Sequence, residues 1–290
     1  MTDRFERQER LFGRDGQAKL AACRVTIVGV GGLGTHVVQQ LALLGVGRLS
    51  LVDSEELAKT NLNRYVGARP DDLIPGTPKV EIGERIIRGI SRGIEVRKIH
   101  DSLVSEQGFT AVIEADYVFG CLDSEGARLV LTELCAAYAR PYLDLSSDIP
   151  PDTPPIYGGQ ICAAWEGRGC LYCFGLLDVE EAQAELGGPE VRQQRAALYG
   201  VRDEFLDRSG PSVVSINGVV ASLAVTEFLV AATGLRAPRR LLTYRGEQSK
   251  VLLSTDEPAP DCYYCKGIRG RKGAVDMQRY IRAGVGAFLR

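Results

Sequence analysis

The segment VGVGGLG, residues 28–34, constrains this chain more than any other. Its glycines at 29, 31 and 34 suit a turn whose backbone must be closely approached. An apolar run at 25–28 precedes the turn, and an apolar-periodic stretch at 35–44 follows it. That is a strand, a glycine turn and a helix, the arrangement that sets phosphates on a helix N-terminus. Asp53 closes the next apolar run, LSLVD, about twenty residues further on, where a carboxylate takes ribose hydroxyls. A nucleotide is the expected occupant.

The residues that follow do not suit a dinucleotide cofactor. The run TNLNR at 60–64 and the pair Pro78-Lys79 place an amide (Asn61), a guanidinium (Arg64) and an ammonium (Lys79) close to the phosphates, with a second acid, Glu55, beside Asp53. Together these groups can hold a ribose and stabilise charge on a departing pyrophosphate. In FGCLDSEGAR, Asp123 falls just past the carboxyl end of a buried strand, the edge where doubly wound sheets bind ligands, so Asp123 is a candidate Mg²⁺ ligand. Ser124 beside it is a further candidate for binding the nucleotide, and either residue equally suits the cap of the next helix. Nothing near His36 or His100, the two histidines, suggests a triad, and neither is expected to be catalytic.

Alternation sets the expected fold. Strands at 24–29, 48–53, 94–99, 115–120 and 141–145 alternate with helices at 32–45, 79–92 and 124–138, which predicts a Rossmann-like, doubly wound α/β fold with a parallel sheet. Residues 150–155 are proline-dense, and IYGGQICAAW after them reads as an edge strand, so the sheet should turn mixed. Four parts are expected: a helical entry at 1–23, a nucleotide-binding half at 24–150, a mixed-sheet half at 151–265 and a basic tail at 266–290. Within the third part, 176–210 lacks a clean period and suggests a lid, with short helices at VEEAQAEL and VRQQRAALY. An apolar helix at 213–233 and strands at 240–245 and 250–254 follow. The tail is expected to pack as an amphipathic helix through Met277, Ile281 and Leu289.

The 35 basic and 37 acidic residues, net charge -2, create no large positive field, so neither nucleic acid nor an acidic membrane is an expected partner. No secretory signal core and no run of membrane-spanning length is apparent, so a cytoplasmic location is expected. In that compartment eight cysteines point to metal or catalysis rather than disulfides. Cys170 and Cys173 form one C-x-x-C turn and Cys262 and Cys265 another. Two such turns close a four-sulfur structural Zn²⁺ site that clips the C-terminal extension to the sheet. Cys23, Cys121, Cys135 and Cys162 read as small core residues, Cys121 the least firmly because it stands at a strand end beside Asp123.

RFERQERLFGRDGQAKL, VTIVGVGGLGTHVVQQLALLGVGRLSLVD, TNLNRY, PKVEIGERI, CLDSEGAR and the two C-x-x-C pairs together resemble the ThiF/MoeB family of ubiquitin-activating-type adenylyltransferases. The resemblance spans residues 4–265. It implies an enzyme that attaches AMP from ATP to the C-terminal glycine carboxylate of a small ubiquitin-like or sulfur-carrier protein with a Gly-Gly tail, releasing pyrophosphate. It further implies that Gly32 lies in the nucleotide loop with Gly29, Gly31 and Gly34, that Asp53 binds ribose, and that Asn61, Arg64 and Lys79 contact the phosphates. Asp123 would hold Mg²⁺. Arg7 would reach the active site of the other subunit of a homodimer.

Two departures stand out. Members that pass the tail on as a thioester or persulfide use a cysteine in the crossover loop, and residues 174–212 contain none. The implied product is therefore the acyl-adenylate, leaving a separate thiol acceptor or sulfurtransferase to act next. Cys121 or Cys162 is the remaining candidate for a thioester. Tyr65 also stands where many relatives carry Gln. Competing expectations are same-fold activation of a peptide or tRNA-bound carboxylate, a non-catalytic tail-binding scaffold, and an NAD-dependent oxidoreductase.

Overall fold

The glycine turn folds as its sequence requires, and the sheet is organised around it. The computed structural model describes residues 4–150, 154–188, 191 and 210–289. Strand β1 (Arg24–Val28) enters the turn and helix α2 (Gly32–Leu44) leaves it. Gly34 faces the carbonyl oxygen of Gly29 so closely that a Cβ on it would lie 2.0 Å away. Helix α2 ends at Gly45, whose left-handed φ of 81° lets its N–H reach back to the carbonyls of Leu41 and Ala42.

Beside β1 lie β2 (Arg48–Val52) and then β3 (Glu95–Ile99) on one side, β4 (Tyr117–Gly120) and then β5 (Tyr142–Asp148) on the other. All four pairings are parallel, with Val28 opposite both Val52 and Gly120. Because β1 is followed by β2 on one side while the chain returns to β4 on the other, the order reverses at β1, which opens a crevice at the carboxyl ends there. Strands β6 (Gly158–Ala164), β7 (Leu241–Arg245) and β8 (Lys250–Leu253) then add antiparallel, giving eight strands among the described residues. The mixed second half agrees with the sequence. The expected edge position of IYGGQICAAW does not: β6 is an interior strand between β5 and β7, and β8 forms the edge.

Alternating side chains feed two cores, one on each face. Ile27, Phe119 and Leu143 pack with α2, α3 (Lys79–Ile90) and α7 (Val214–Thr233), while Val28, Val118 and Tyr142 pack with α4 (Glu106–Glu114) and α5 (Glu125–Ala137). The entry helix α1 (Glu6–Ala22) packs on α7 and is kinked at Gly13, where φ is 73°. Helix α4 lies where the sequence reading placed no element. Its nine residues, capped by Ser105 accepting from the Gly108 N–H at 3.0 Å, are too few for a periodic signal to stand out.

Helix α7 is long and apolar enough, by length and composition, to cross a membrane, contrary to the expectation that no run reaches that length. It packs on β5, β6, α1 and α2, and its buried Glu227 is matched by both guanidinium nitrogens of Arg236 at 2.7 Å. VEEAQAEL forms α6 (Val179–Leu186), whereas VRQQRAALY and most of the expected lid lie outside the described residues. The tail packs as expected, burying Met277 and Leu289 with Ile281 partly covered, but not as one helix. It forms the short α8 (Gln278–Arg282) between two single turns, because Gly270, Gly273, Gly284 and Gly286 interrupt it.

Gly34→Ala is expected to destabilise the fold by about 1–3 kcal/mol in urea unfolding, since neither backbone can retreat cheaply. Unchanged stability would show that the helix start has slack.

Candidate active site

The floor of the crevice is the turn itself. Gly29 takes a φ of 87°, and a Cβ there would meet the Cys121 carbonyl oxygen at 2.5 Å. Gly31 and Gly32 line the cavity, and a Cβ on Gly31 would meet nothing within 4 Å, so its backbone is open to a ligand. Gly34 lies beneath the floor. The Asp53 carboxylate accepts hydrogen bonds from the N–H of Val30 at 2.7 Å and of Glu55 at 2.8 Å, tying the end of β2 to the turn. Burial pushes the Asp53 carboxyl above its ordinary range, against the pull of Lys79 and of the two N–H groups.

The cations stand along one wall. Lys79, at the first position of α3 and buried, pairs its ammonium with Glu55, and its N–H donates to the Glu55 carbonyl at 2.9 Å. Tyr65 is buried beneath it and donates its hydroxyl to the Lys79 carbonyl at 3.0 Å, so this departure from the family pattern anchors α3 from below. Arg64 donates to the Thr60 carbonyl at 2.5 Å, and Asn61 accepts from the Ala58 N–H at 2.9 Å, which shapes the loop carrying both. Glu55, Asn61, Arg64 and Lys79 all line the cavity.

The opposite wall begins at β4. Asp123 is exposed on the cavity and makes no ion pair among the described residues. Ser124 does not line the cavity; it caps α5, accepting from the Ala127 N–H at 3.2 Å, and donates to Glu185 at 2.6 Å. Glu185 also accepts from the Gly126 N–H at 2.7 Å, and Glu125 from the Asp178 N–H at 2.9 Å, so α6 is held at the start of α5. Burial pushes the Cys121 and Cys162 thiols well up.

Arg128 and Asn217 also line the cavity, beyond the residues expected from sequence. Arg128, buried at one turn into α5, pairs with Asp144 (2.7 and 3.3 Å) and with Glu125 (2.5 Å). Tyr142 donates to the same Asp144 at 2.6 Å. Burial pulls the guanidinium down, but the Asp144 charge and hydrogen bonds push it up further, so Arg128 stays a cation. Arg128 closes the CLDSEGAR motif, which was the available signal. Asn217, on the first turn of α7, is buried with its amide nitrogen 2.7 Å from where a Gly32 Cβ would be and its oxygen unpartnered among the described residues. No local pattern marks it.

The whole cavity measures about 1080 Å³ and extends from Asp53 and Lys79 across Ser146, Gly158 and Gly159 to Thr243 and Arg245, a trough over the end of the mixed sheet. Arg7 is not part of it. Its neighbour Gln8 donates to the Leu44 carbonyl at 3.1 Å, at the far end of α2, which is about 20 Å long. His36 faces a shallow groove between α2 and α7, and His100 is exposed at the end of β3.

The two C-x-x-C turns converge as expected. The four sulfurs lie within 4.8 Å of one another, with Cys170 to Cys173 3.8 Å, Cys170 to Cys262 3.7 Å and Cys173 to Cys265 3.5 Å. The edge of a tetrahedron with Zn–S bonds of about 2.3 Å is about 3.8 Å, so the cluster could hold zinc with all four corners filled by protein. Burial pushes the Cys170 thiol up and Cys265 up to about 12; at Cys173 it is outweighed by hydrogen bonds from Cys262 and Cys265, which pull that thiol down.

A sequence model of the ThiF family matches residues 5–264. The chain is 29% identical to the heterocyst HesA protein of Trichormus variabilis, over 90% of this chain and 88% of that one. It is 27% identical to the sulfur carrier protein ThiS adenylyltransferase of Escherichia coli, over 91% and 95%. Among solved structures it resembles E. coli MccB with ATP (TM-score 0.69, 21% identity, 91% of this chain and 75% of that one), a likeness of fold.

Purified protein should carry about one zinc per chain by elemental analysis, and Cys262→Ser should lose it and lower the melting temperature by several degrees. Full stability without any bound metal would show the sulfurs to be packing alone.

Proposed function

Because the chain belongs to the ThiF family, with relatives named adenylyltransferases, we propose that it uses ATP to adenylate the C-terminal carboxylate of a small ubiquitin-like or sulfur-carrier protein, releasing pyrophosphate. One observation supports this reading: Asp53, the cations Arg64 and Lys79, the amide of Asn61 and the exposed carboxylate of Asp123 line one cavity with the glycine turn, and the same cavity is lined further by Ser146, Gly158, Gly159, Thr243 and Arg245.

The attacking carboxylate is already ionised at neutral pH, so no general base is needed. Its oxygen forms a bond to the α-phosphorus and the pyrophosphate leaves with the electron pair of the α–β bridge. Gly31 and Gly32 present backbone to the phosphates, Asp53 receives the ribose, and Asn61, Arg64 and Lys79 receive the phosphate charge. Lys79 would exchange its Glu55 partner for phosphate oxygens as the nucleotide enters. Asp123 would hold Mg²⁺, which supplies further charge neutralisation on the phosphates when bound. The raised thiols of Cys121 and Cys162 support release of the acyl-adenylate to a separate thiol acceptor or sulfurtransferase.

A homodimer completes the site in this reading. Arg7 is too far from its own glycine turn to serve it, and α2 and α7 carry exposed Leu43, Val214 and Val219 for a second copy to cover.

Lys79→Ala should cut ATP–pyrophosphate exchange, measured with candidate Gly-Gly-tailed proteins, by about a hundredfold or more while the fold stays intact. Exchange only with short peptides would move the substrate to that class; full exchange by Lys79→Ala would sink the mechanism. Mixing inactive Arg7→Ala with Lys79→Ala chains and allowing subunits to exchange should restore about a quarter of wild-type activity, because each mixed dimer holds one intact site. No recovery would place Arg7 outside the partner's site.

A further inference from the structure

The cavity is lined by both charged and apolar side chains. Besides Asp53, Glu55, Arg64, Lys79, Arg128 and Asn217, its lining includes the apolar side chains of Val28, Val52, Leu103, Leu122, Ala127 and Leu289, interleaved in sequence with Asp101, Ser102, Asp123 and Glu125. All six belong to or pack on one hydrophobic core. Leu289 stands apart from the other five: it arrives from the C-terminal segment, beyond the four cysteines and far along the chain from every other lining residue.

The path that brings it there is well defined. After Cys265 the chain runs antiparallel to α5. The Gly270 N–H donates to the Ala136 carbonyl at 2.9 Å at the C-terminal end of that helix. Arg279 and Tyr280 both donate to the buried Glu133 carboxylate at 2.6 Å one turn back. At the N-terminal end Leu289 meets Gly126 so closely that a Cβ on Gly126 would lie 2.7 Å from its methyl. The Leu289 carbonyl accepts from the Ser102 hydroxyl at 3.2 Å, and the Gly286 backbone lies against Val104. Leu289 is 4% exposed, held from two sides while still facing the cavity.

We propose that Leu289, delivered by the C-terminal segment, forms one wall of the slot that takes the nucleoside base, and so sets base affinity without touching the phosphates. This rests on the nucleotide reading above. With Asp53 at the end of β2 receiving the ribose, Val52 just before it and Val28 paired with Val52 line the same cavity as Leu103 and Leu289, and a flat apolar ring is the part of a nucleoside triphosphate that gains from such burial. The cost of removing that wall falls on the base alone.

The test compares ATP with inorganic tripolyphosphate by titration calorimetry on the full chain, using wild type, Leu289→Ala, Leu289→Glu and, as a control on the same segment, Phe288→Ala, which packs toward Gly188 and does not line the cavity. Leu289→Ala should weaken ATP by about fivefold and Leu289→Glu by more, with tripolyphosphate unchanged within about twofold and Phe288→Ala close to wild type. Wild type that binds no ATP would sink the nucleotide reading itself. Wild type that binds ATP while both Leu289 variants bind it equally well would overturn only the role of Leu289. Parallel loss of ATP and tripolyphosphate, or equal loss in Phe288→Ala, would make the segment a structural strut and overturn the proposal.

Discussion

The structure depends on how closely α2 can begin above β1. The Gly29 carbonyl and the Gly34 backbone share a space that no side chain could enter, and Gly29 meets the Cys121 carbonyl with equally little room. That contact brings the carboxyl ends of β1, β2 and β4 together at the point where the strand order reverses. The reach of Asp53 to the Val30 N–H, the placement of Lys79 at the start of α3 and the position of Asp123 at the end of β4 all follow from it.

The site manages its charges by local pairing. Lys79 is matched by Glu55, and Arg128 by Asp144 and Glu125, while Asp53, Arg64 and Asp123 make no ion pair among the described residues. A buried pair such as Arg128 with Asp144 adds little net stability, because desolvation offsets attraction, but it fixes direction. Here it fixes the first turns of α5 against β5. Ser124 and Glu185 satisfy the N–H groups at the same helix end, so the position of Asp123 is determined by a rigid support rather than by its own contacts.

The second half of the chain is organised by a different device. Two cysteine turns separated by about ninety residues meet beside the antiparallel strands, and the geometry of their sulfurs matches a tetrahedral metal. The segment that leaves this cluster has too many glycines to form a long helix of its own. It takes its shape from α5, and through Glu133 and Gly126 it follows that helix back to the cavity. The cysteine cluster and the crevice therefore stand at opposite ends of one helix.

The sequence by itself determined what is set by local chemistry. The strand and helix periods, the glycines at 29, 31 and 34, Asp53 one strand later and the paired cysteines were legible because each rests on residue type at a fixed short spacing. Tyr65 was visible as a departure, though not as the support of Lys79 that it is. What only the tertiary structure decided involves residues distant in sequence. Strand β6 is interior because β7, nearly eighty residues later, pairs with its free side. Asn217 lies against Gly32 because α7 packs on α2, and Leu289 reaches the crevice because a glycine-broken tail follows α5. None of these carries a local signature, since a side chain becomes part of a site through which surface it lands on, and that is fixed by packing across the whole sheet.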